Sequence, residues 1–241
     1  MRISVLTLFP EMFDSFFTTS IVGRAAQKEL LTYDLVQIRD FAHDVHRHVD
    51  DKPFGGGAGM VMKCQPALDA INSVRTEDST VILLSAKGKP YTQKKAHELA
   101  QKPHLIFLCG HYEGVDERIV ERCDEEISIG DYVLTGGELG AMVIADSVVR
   151  LLPGAIRDDS TQEESYENGL LEYPQYTQPA VYEGEAVPDV LLSGHHANIR
   201  RWRLQQSLLT TRRVRPDLFE RHELTKEEKK LLEEADRQDG D

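Results

Sequence analysis

Two stretches of this 241-residue chain set glycine beside carboxylates: IGDYVLTGGELGA at 129–141 and LCGHYEG at 108–114. Thr135 and Glu138 have capping-box spacing, which accounts for those two residues. It leaves Gly136 and Gly137 unexplained, since each lowers helix propensity by about 1 kcal/mol relative to Ala. Glycine is favoured where something must approach the backbone closely, and Gly110 and Gly114 raise the same question in LCGHYEG. Neither a Walker lysine loop nor G-x-G-x-x-G is present, so a nucleotide phosphate is a poor fit. Backbone hydrogen bonds to an uncharged purine, with Glu113, Asp131 or Glu138 near a positive charge, suit S-adenosylmethionine. Its adenosine is neutral, and its sulfonium and amino groups are cationic.

Other chemistry-bearing groups lie elsewhere. HDVHRHVDD at 43–51 holds three histidines and three aspartates at loose spacing, which favours a structural or substrate role over a transition-metal site. RRWRLQQSLLTTRRVR at 200–215 holds six arginines and no acid, a positive stripe in a chain of net charge −13. That stripe reads either as a solvated helix face or as a contact for nucleic-acid phosphates, and Trp202 within it reads as a core anchor. Cys64, Cys109 and Cys123 are odd in number and lack Cys-x-x-Cys spacing, so no disulfide framework or zinc site is expected. No apolar stretch approaches 18 residues and the N-terminus lacks a signal-peptide pattern, so a soluble, cytoplasmic protein with no membrane contact is expected.

The elements that must position these groups follow from apolar runs. ISVLTLF near the start, YDLVQI at 33–38, VILLS at 81–85, LIFLCG at 105–110 and EISIGDYVL at 126–134 are apolar on both faces, as strands of a covered parallel sheet are. Helical patterns alternate with them in QPALDAINSV and in TQKKAHELAQK, bracketed by Pro90 and Pro103. An α/β domain results, long enough to bury roughly 70 to 75% of its unfolded surface. Strand-end turns in such folds face the ligand edge of the sheet, which would bring the two glycine stretches together. In ELGAMVIADSVVRLL, Leu139, Met142, Val143 and Val149 are spaced for one buried helical face. RDDSTQEESYENG at 157–169 is polar and aperiodic, a linker or a loop that orders on binding. Thr225 to Glu228 form a capping box for a last helix.

The chain resembles the bacterial tRNA (guanine-N1)-methyltransferases of the knotted (SPOUT) methyltransferase superfamily nearly end to end. The passages that carry the resemblance include LTLFPEMF, RDFAHDVHRHVDDKPFGGGAGMVM, LCGHYEGVDER, SIGDYVLTGGELGAMVIADSVVR, GLLEYPQYTQP and LLSGHHANIRRWRLQQSL. It implies methyl transfer from S-adenosylmethionine to N1 of the guanosine immediately 3′ of the anticodon, by a homodimer whose active site is shared between subunits. The implied architecture is a knotted α/β cofactor domain at 1–156 with a deep trefoil knot, a flexible interdomain loop at 157–172, and a small helical tRNA-binding domain at 173–241. The adenosine would be held by Leu84, Ser85, Gly110, Tyr112, Glu113, Gly114, Ile129, Gly130, Asp131, Tyr132, Val133 and Leu134, with Gly136 and Gly137 shaping the turn and Glu172 meeting the cofactor's amine. The implied catalytic pair is a carboxylate in the interdomain loop and Arg150, for which an ion pair to Asp146 four residues earlier is the alternative use. Where the family has an aspartate before a serine, this chain has Glu164, in Glu163-Glu164-Ser165, in a loop one residue shorter; Glu163 is the other candidate base. The family also implies Mg2+, for which Glu113 and Glu164 are the candidate oxygen ligands. The alternative reading is a non-catalytic tRNA-binding protein on the same scaffold.

Overall fold

The computed structural model describes residues 1–157 and 164–238. Its contacts divide the chain into two compact units, Met1–Asp158 and Asp159–Asp241.

In the first unit the long apolar runs pair into one all-parallel sheet. Its strands are β1 (Arg2–Thr7), β2 (Thr32–Gln37), β5 (Ser79–Pro90), β6 (His104–Cys109) and β7 (Glu125–Ser128), ordered β2-β1-β6-β5-β7. Two short antiparallel strands, β3 (Asp50–Asp51) and β4 (Val61–Met62), stand apart. Alternation of side chains along each strand sends Ile3, Val5, Ile82, Leu84, Leu105 and Phe107 into one buried cluster. Their neighbours Leu6, Val81, Leu83, Ile106 and Leu108 enter a second cluster on the opposite face. Helices cover both clusters. α1 (Asp14–Thr18), α2 (Ser20–Gln27), α4 (Gln93–Ala100) and α6 (Glu138–Val149) supply Phe17, Val22, Leu99 and Ile144 to the first; α3 (Cys64–Val74) and α5 (Glu117–Val120) supply Ala67, Ile71 and Ile119 to the second. Each fully buried Ile, Leu or Phe contributes about 1.5–3 kcal/mol, so a strand buried on both faces needs no polar side.

Three features of this unit depart from the sequence expectation. The strand read over 126–134 ends at Ser128, and residues 129–137 are loop. Gly130, at φ +153°, turns the chain there, with its N–H donating to Ser128 Oγ (3.2 Å). α6 buries Ala141, Ile144, Ala145, Val148 and Val149, whereas Leu139 and Val143, expected on the buried face, are 51% and 47% exposed. The helix is apolar all round, so spacing alone could not select a face. The Thr135–Glu138 capping box does not form: Gly137 occupies the cap position without a side-chain hydrogen bond.

One irregularity matters for the site. β5 meets β7 with Leu84 opposite Ile127, loops out Ser85–Gly88, and meets Ile127 again with Lys89. A Cβ on Gly88 would lie 2.5 Å from the Ile127 backbone, so the crossing tolerates only glycine.

The second unit holds a small hairpin, β8 (Val181–Tyr182) with β9 (Glu185–Ala186), and helices α7 (Asp189–Leu192), α8 (His196–Val214), α9 (Pro216–Arg221) and α10 (Lys226–Gln238). Its core is Leu170, Leu208, Leu231 and Leu232. The Thr225–Glu228 capping box forms as expected: Thr225 N–H donates to Glu228 Oε2 (2.7 Å) and Glu228 N–H to Thr225 Oγ1 (3.2 Å). The later part of the expected linker is tied into this unit, with Leu170 buried, Leu171 N–H donating to Thr211 Oγ1 (2.8 Å) and Glu172 N–H to Ser165 Oγ (2.9 Å). Trp202 corrects its expectation: it is half-buried and lies outside the leucine core.

Candidate functional site

A cavity of about 460 Å³ opens in the first unit where β5, β6 and β7 end, between the 110–114 and 129–137 loops. Both glycine stretches therefore meet at the edge where open α/β sheets take ligands. The 110–116 segment is held from both sides. Glu113 N–H donates to the Met60 carbonyl (3.0 Å) and Met62 N–H to the Gly114 carbonyl (2.9 Å), while Gly137 N–H donates to the Gly110 carbonyl (2.9 Å) and His111 bridges to Gly136. Gly137 explains the glycine pair best. A Cβ there would lie 2.7 Å from Cys109 Cα and 3.1 Å from Gly110 N, backbone atoms that cannot swing aside. Tyr112, at φ +65°, is held in the left-handed region without being glycine. Such strain persists where surrounding structure enforces it and clusters at functional sites.

Every residue expected at the cofactor lines this cavity except Asp131 and Glu172. Asp131 is exposed on the loop outside it. Glu172 belongs to the second unit, where it accepts from Gln175 Nε2 (2.6 Å). Ser128, Ile129 and Gly130 form a tight turn, with Ser128 Oγ donating to the Gly130 carbonyl (3.0 Å) and Tyr132 N–H to the same oxygen (3.0 Å). The apolar residues after it, Tyr132, Val133 and Leu134, are 55%, 88% and 38% exposed. They form a hydrophobic wall without a covering layer. Acidic side chains from Glu113, Glu117 and Glu126 outnumber the cation Lys87 around the cavity.

Sequence reasoning placed Glu138 at a helix cap or beside the ligand's positive charge and missed that it is buried and ties the floor together. Glu138, 2% exposed, accepts from Thr7 Oγ1 (2.7 Å) at the end of β1 and lies 3.3 Å from His111 Nε2. Thr7 Oγ1 in turn accepts from Phe9 N–H (2.9 Å), and the Phe9 and His111 rings lie 4.9 Å apart. A carboxylate taken from water needs such partners. They come from 131 and 27 residues away, so no local pattern announces them. Gly140 was also missed; a Cβ there would press on Leu84 Cδ1 at 3.2 Å, and its position one turn after Gly136 was the available signal. Burial, and then Glu138, pushes the Cys109 thiol well above its usual range, so this cysteine is inert packing at physiological pH. Burial, and then the hydrogen bond to Asp50, raises the Tyr112 phenol likewise.

The expected catalytic residues fall in different units: Arg150 caps the end of α6 in the first, and Glu164 opens the turn before Ser165 in the second. Glu163 lies outside the described residues. Among the described residues no group of three or more His, Cys, Asp or Glu is placed to hold a metal ion. Glu113 and Glu164, the residues expected at magnesium, belong to the first and the second unit respectively. The histidine segment is tied up instead, with His48 Nδ1 2.7 Å from Asp44 Oδ1 and His43 Nε2 3.2 Å from Asp69 Oδ2. Several arginines of the stripe are engaged within their own unit: Arg201 pairs with Glu234, Arg212 with Asp236 (2.7 Å) and Arg215 with Asp217 (2.7 Å).

Residues 1–221 match the sequence family described as "tRNA (Guanine-1)-methyltransferase TrmD". Three relatives carry the name tRNA (guanine-N(1)-)-methyltransferase. A Clostridium botulinum (strain Kyoto / Type A2) protein is 57% identical over 236 residues, covering 97% of this chain and 98% of its own. One from Brevibacillus brevis is 56% identical over 241 residues, 99% of each chain. One from Ruminiclostridium cellulolyticum is 58% identical over 224 residues, 91% of this chain and 96% of its own.

Proposed function

Because the chain belongs to the tRNA (guanine-1)-methyltransferase family, we propose that it transfers a methyl group from S-adenosylmethionine to N1 of the guanosine immediately 3′ of a tRNA anticodon. The observation that carries the cofactor assignment is the glycine-floored cavity with its acidic surround. Gly110, Gly136 and Gly137 let the two strand-end loops pack into a floor free of side chains, suited to a flat neutral purine, and Glu113 suits the cationic end of the donor. Tyr132, Val133 and Leu134, left exposed, are suited to cover the adenine face.

S-adenosylmethionine supplies a methyl group made electrophilic by its sulfonium. Guanine N1 becomes a good nucleophile only as its proton leaves, so a carboxylate within hydrogen-bond reach is required. We assign that role to Glu164, with Arg150 offsetting the negative charge that grows on the purine as the proton departs. No covalent enzyme intermediate is needed, so the chain's contribution is positioning and proton removal. N1 is hidden in a stacked loop, and the guanine must be extruded to reach the site.

Four further readings accompany this one. A deep trefoil knot is supported by the looped-out Ser85–Gly88 at Ile127 and by the Gly137–Cys109 approach. A homodimer with a shared active site, completed by Glu164 and Glu172 of the second unit, is supported by exposed apolar side chains at Phe9, Met12, Leu139 and Val143. A helical tRNA-binding C-terminal domain is supported by α8 and its cations. A cytoplasmic location is supported by three free thiols, and no helix among the described residues is long and apolar enough to cross a membrane.

The test is incubation of the purified chain with unmodified tRNA and S-adenosylmethionine labelled in the methyl group. Label recovered as N1-methylguanosine supports the proposal. RNA binding without label supports a non-catalytic tRNA-binding protein, and label at another atom overturns the site chemistry.

A further inference from the structure

The second unit carries its own cavity, of about 340 Å³, that the transfer reaction does not use. Tyr173, Gln175, Tyr176, Gln178, Trp202 and Arg203 line it. The Tyr176 and Trp202 rings stand 6.4 Å apart, tilted by 52°, and the Arg203 guanidinium lies 4.7 Å over the Tyr173 ring. From this wall we propose that the cavity is a second nucleobase-binding site, which receives one unpaired base of the RNA substrate by stacking between Tyr176 and Trp202. The inference rests on the RNA substrate proposed above, and it concerns a base other than the one methylated.

Three arguments select a nucleobase. First, stacked bases repeat at about 3.4 Å, so a ring held between two others needs about 6.8 Å. The observed 6.4 Å needs only a small opening together with a rotation of Tyr176, whose half-exposed side chain is free to turn. Second, Gln178 brings an amide donor and acceptor to the same cavity, the groups that read a base edge, and Gln175, whose Nε2 donates to Glu172 Oε1 (2.6 Å), adds its amide oxygen. Third, the cation Arg203 lines the cavity and Arg200 precedes it by three residues on the same face of α8, complementary to a phosphate backbone and unsuited to a basic peptide, whereas Arg201 is taken up by Glu234. Aromatic platforms with neighbouring cations are the general solution for single-stranded nucleic acid.

Trp202 is the only tryptophan in the sequence, so its emission reports this cavity alone. The full-length protein is titrated with an anticodon stem–loop transcript, a short single-stranded RNA and an abasic ribose-phosphate strand of equal length. The same titrations are followed by anisotropy of end-labelled RNA. The expected result is quenching by both RNAs, saturating with the anisotropy change, and none with the abasic strand. Tyr176→Ala should weaken single-strand binding at least about 5-fold, the lower end of the effect per stacked base, and Tyr176→Phe should restore it. Tyr176 is half-exposed and outside the leucine core, so the substitution spares the fold. RNA bound with unchanged Trp202 emission, equal quenching by the abasic strand, or Tyr176→Ala binding within 2-fold of the parent would each overturn the proposal. Methyl incorporation with a silent Trp202 sinks this site and leaves the transfer reaction standing. Loss of incorporation with quenching intact does the reverse.

Discussion

Replacing Gly137 by alanine tests the reasoning about the cavity floor directly. Its φ is −81°, which alanine adopts without strain. By conformational entropy alone Gly137→Ala should stabilise the fold by about 0.4–1 kcal/mol. Opposing this, the added Cβ would sit 2.7 Å from Cys109 Cα, at least half an ångström inside the closest ordinary contact, and 3.1 Å from Gly110 N. Those atoms belong to a central strand and its exit, so relief requires either a backbone shift, at about 1–3 kcal/mol for overpacking, or loss of the Gly137–Gly110 hydrogen bond, at about 1 kcal/mol. The balance is a net destabilisation of up to about 2.5 kcal/mol, or up to roughly 10 °C in melting temperature for a unit of this length. Calorimetric titration with S-adenosylmethionine should show at least a tenfold weaker donor, because the displaced turn forms the binding floor. Gly140→Ala is the internal control. Its Cβ meets the Leu84 side chain alone, with Cδ1 the one tight contact (3.2 Å) and Cγ and Cβ at ordinary distances (3.4 and 3.6 Å), so a small shift of Cδ1 relieves it and stability should hold or rise by up to about 1 kcal/mol while the cavity narrows. A Gly137→Ala protein that melts with the parent and binds the donor normally would refute the close-approach argument.

Three further outcomes are expected. Glu164→Gln should lower the rate of methyl transfer by about 10²- to 10⁴-fold with tRNA affinity kept, whereas Glu163→Gln should not; the reverse order in a single-turnover assay would move the base to Glu163. Thr225→Ala, by deleting one arm of the capping box, should cost about 1 kcal/mol, read as a lower urea midpoint that Thr225→Ser recovers. His104 is held neutral by burial and then by the Arg2 charge, below its ordinary pKa of 6.5, between Ser4 Oγ (2.9 Å) and Ser79 Oγ (2.8 Å). As pH falls below 6.5 the unfolded chain takes up a proton that the folded chain refuses, so stability declines until the lower folded pKa is passed. Urea midpoints for the parent and for His104→Asn should converge on acidification, and parallel profiles would contradict this.

The sheet was legible because strands covered on both faces need continuous apolar text, and VILLS and LIFLCG have it, while YDLVQI, with its Asp34 and Gln37, forms the half-buried edge strand. The same rule failed at Tyr132, Val133 and Leu134, since residues that line a cavity are as apolar as residues that fill a core. Two capping boxes looked alike in sequence. Thr225 and Glu228 close on each other locally, whereas Glu138 is captured by Thr7 and His111, partners that only the folded sheet brings near. Trp202 was misplaced for a related reason: an aromatic on a helix carries no mark of whether its neighbours are leucines or tyrosines. Glycine spacing did reveal the floor, because a missing side chain records contact with backbone wherever that backbone lies.

The sheet order also constrains how the chain is made. β6 sits between β1 and β5, yet it is synthesised after both. A nascent chain that has just exposed β5 thus holds β5 unpaired and β1 paired on its β2 side alone, while their shared partner is still inside the ribosome. At about 5–20 residues per second that interval lasts on the order of seconds. The bare edges of Val5 and Ile82 are then open to other chains, and a ribosome stalled before residue 104 would release a sticky fragment rather than a half-built domain.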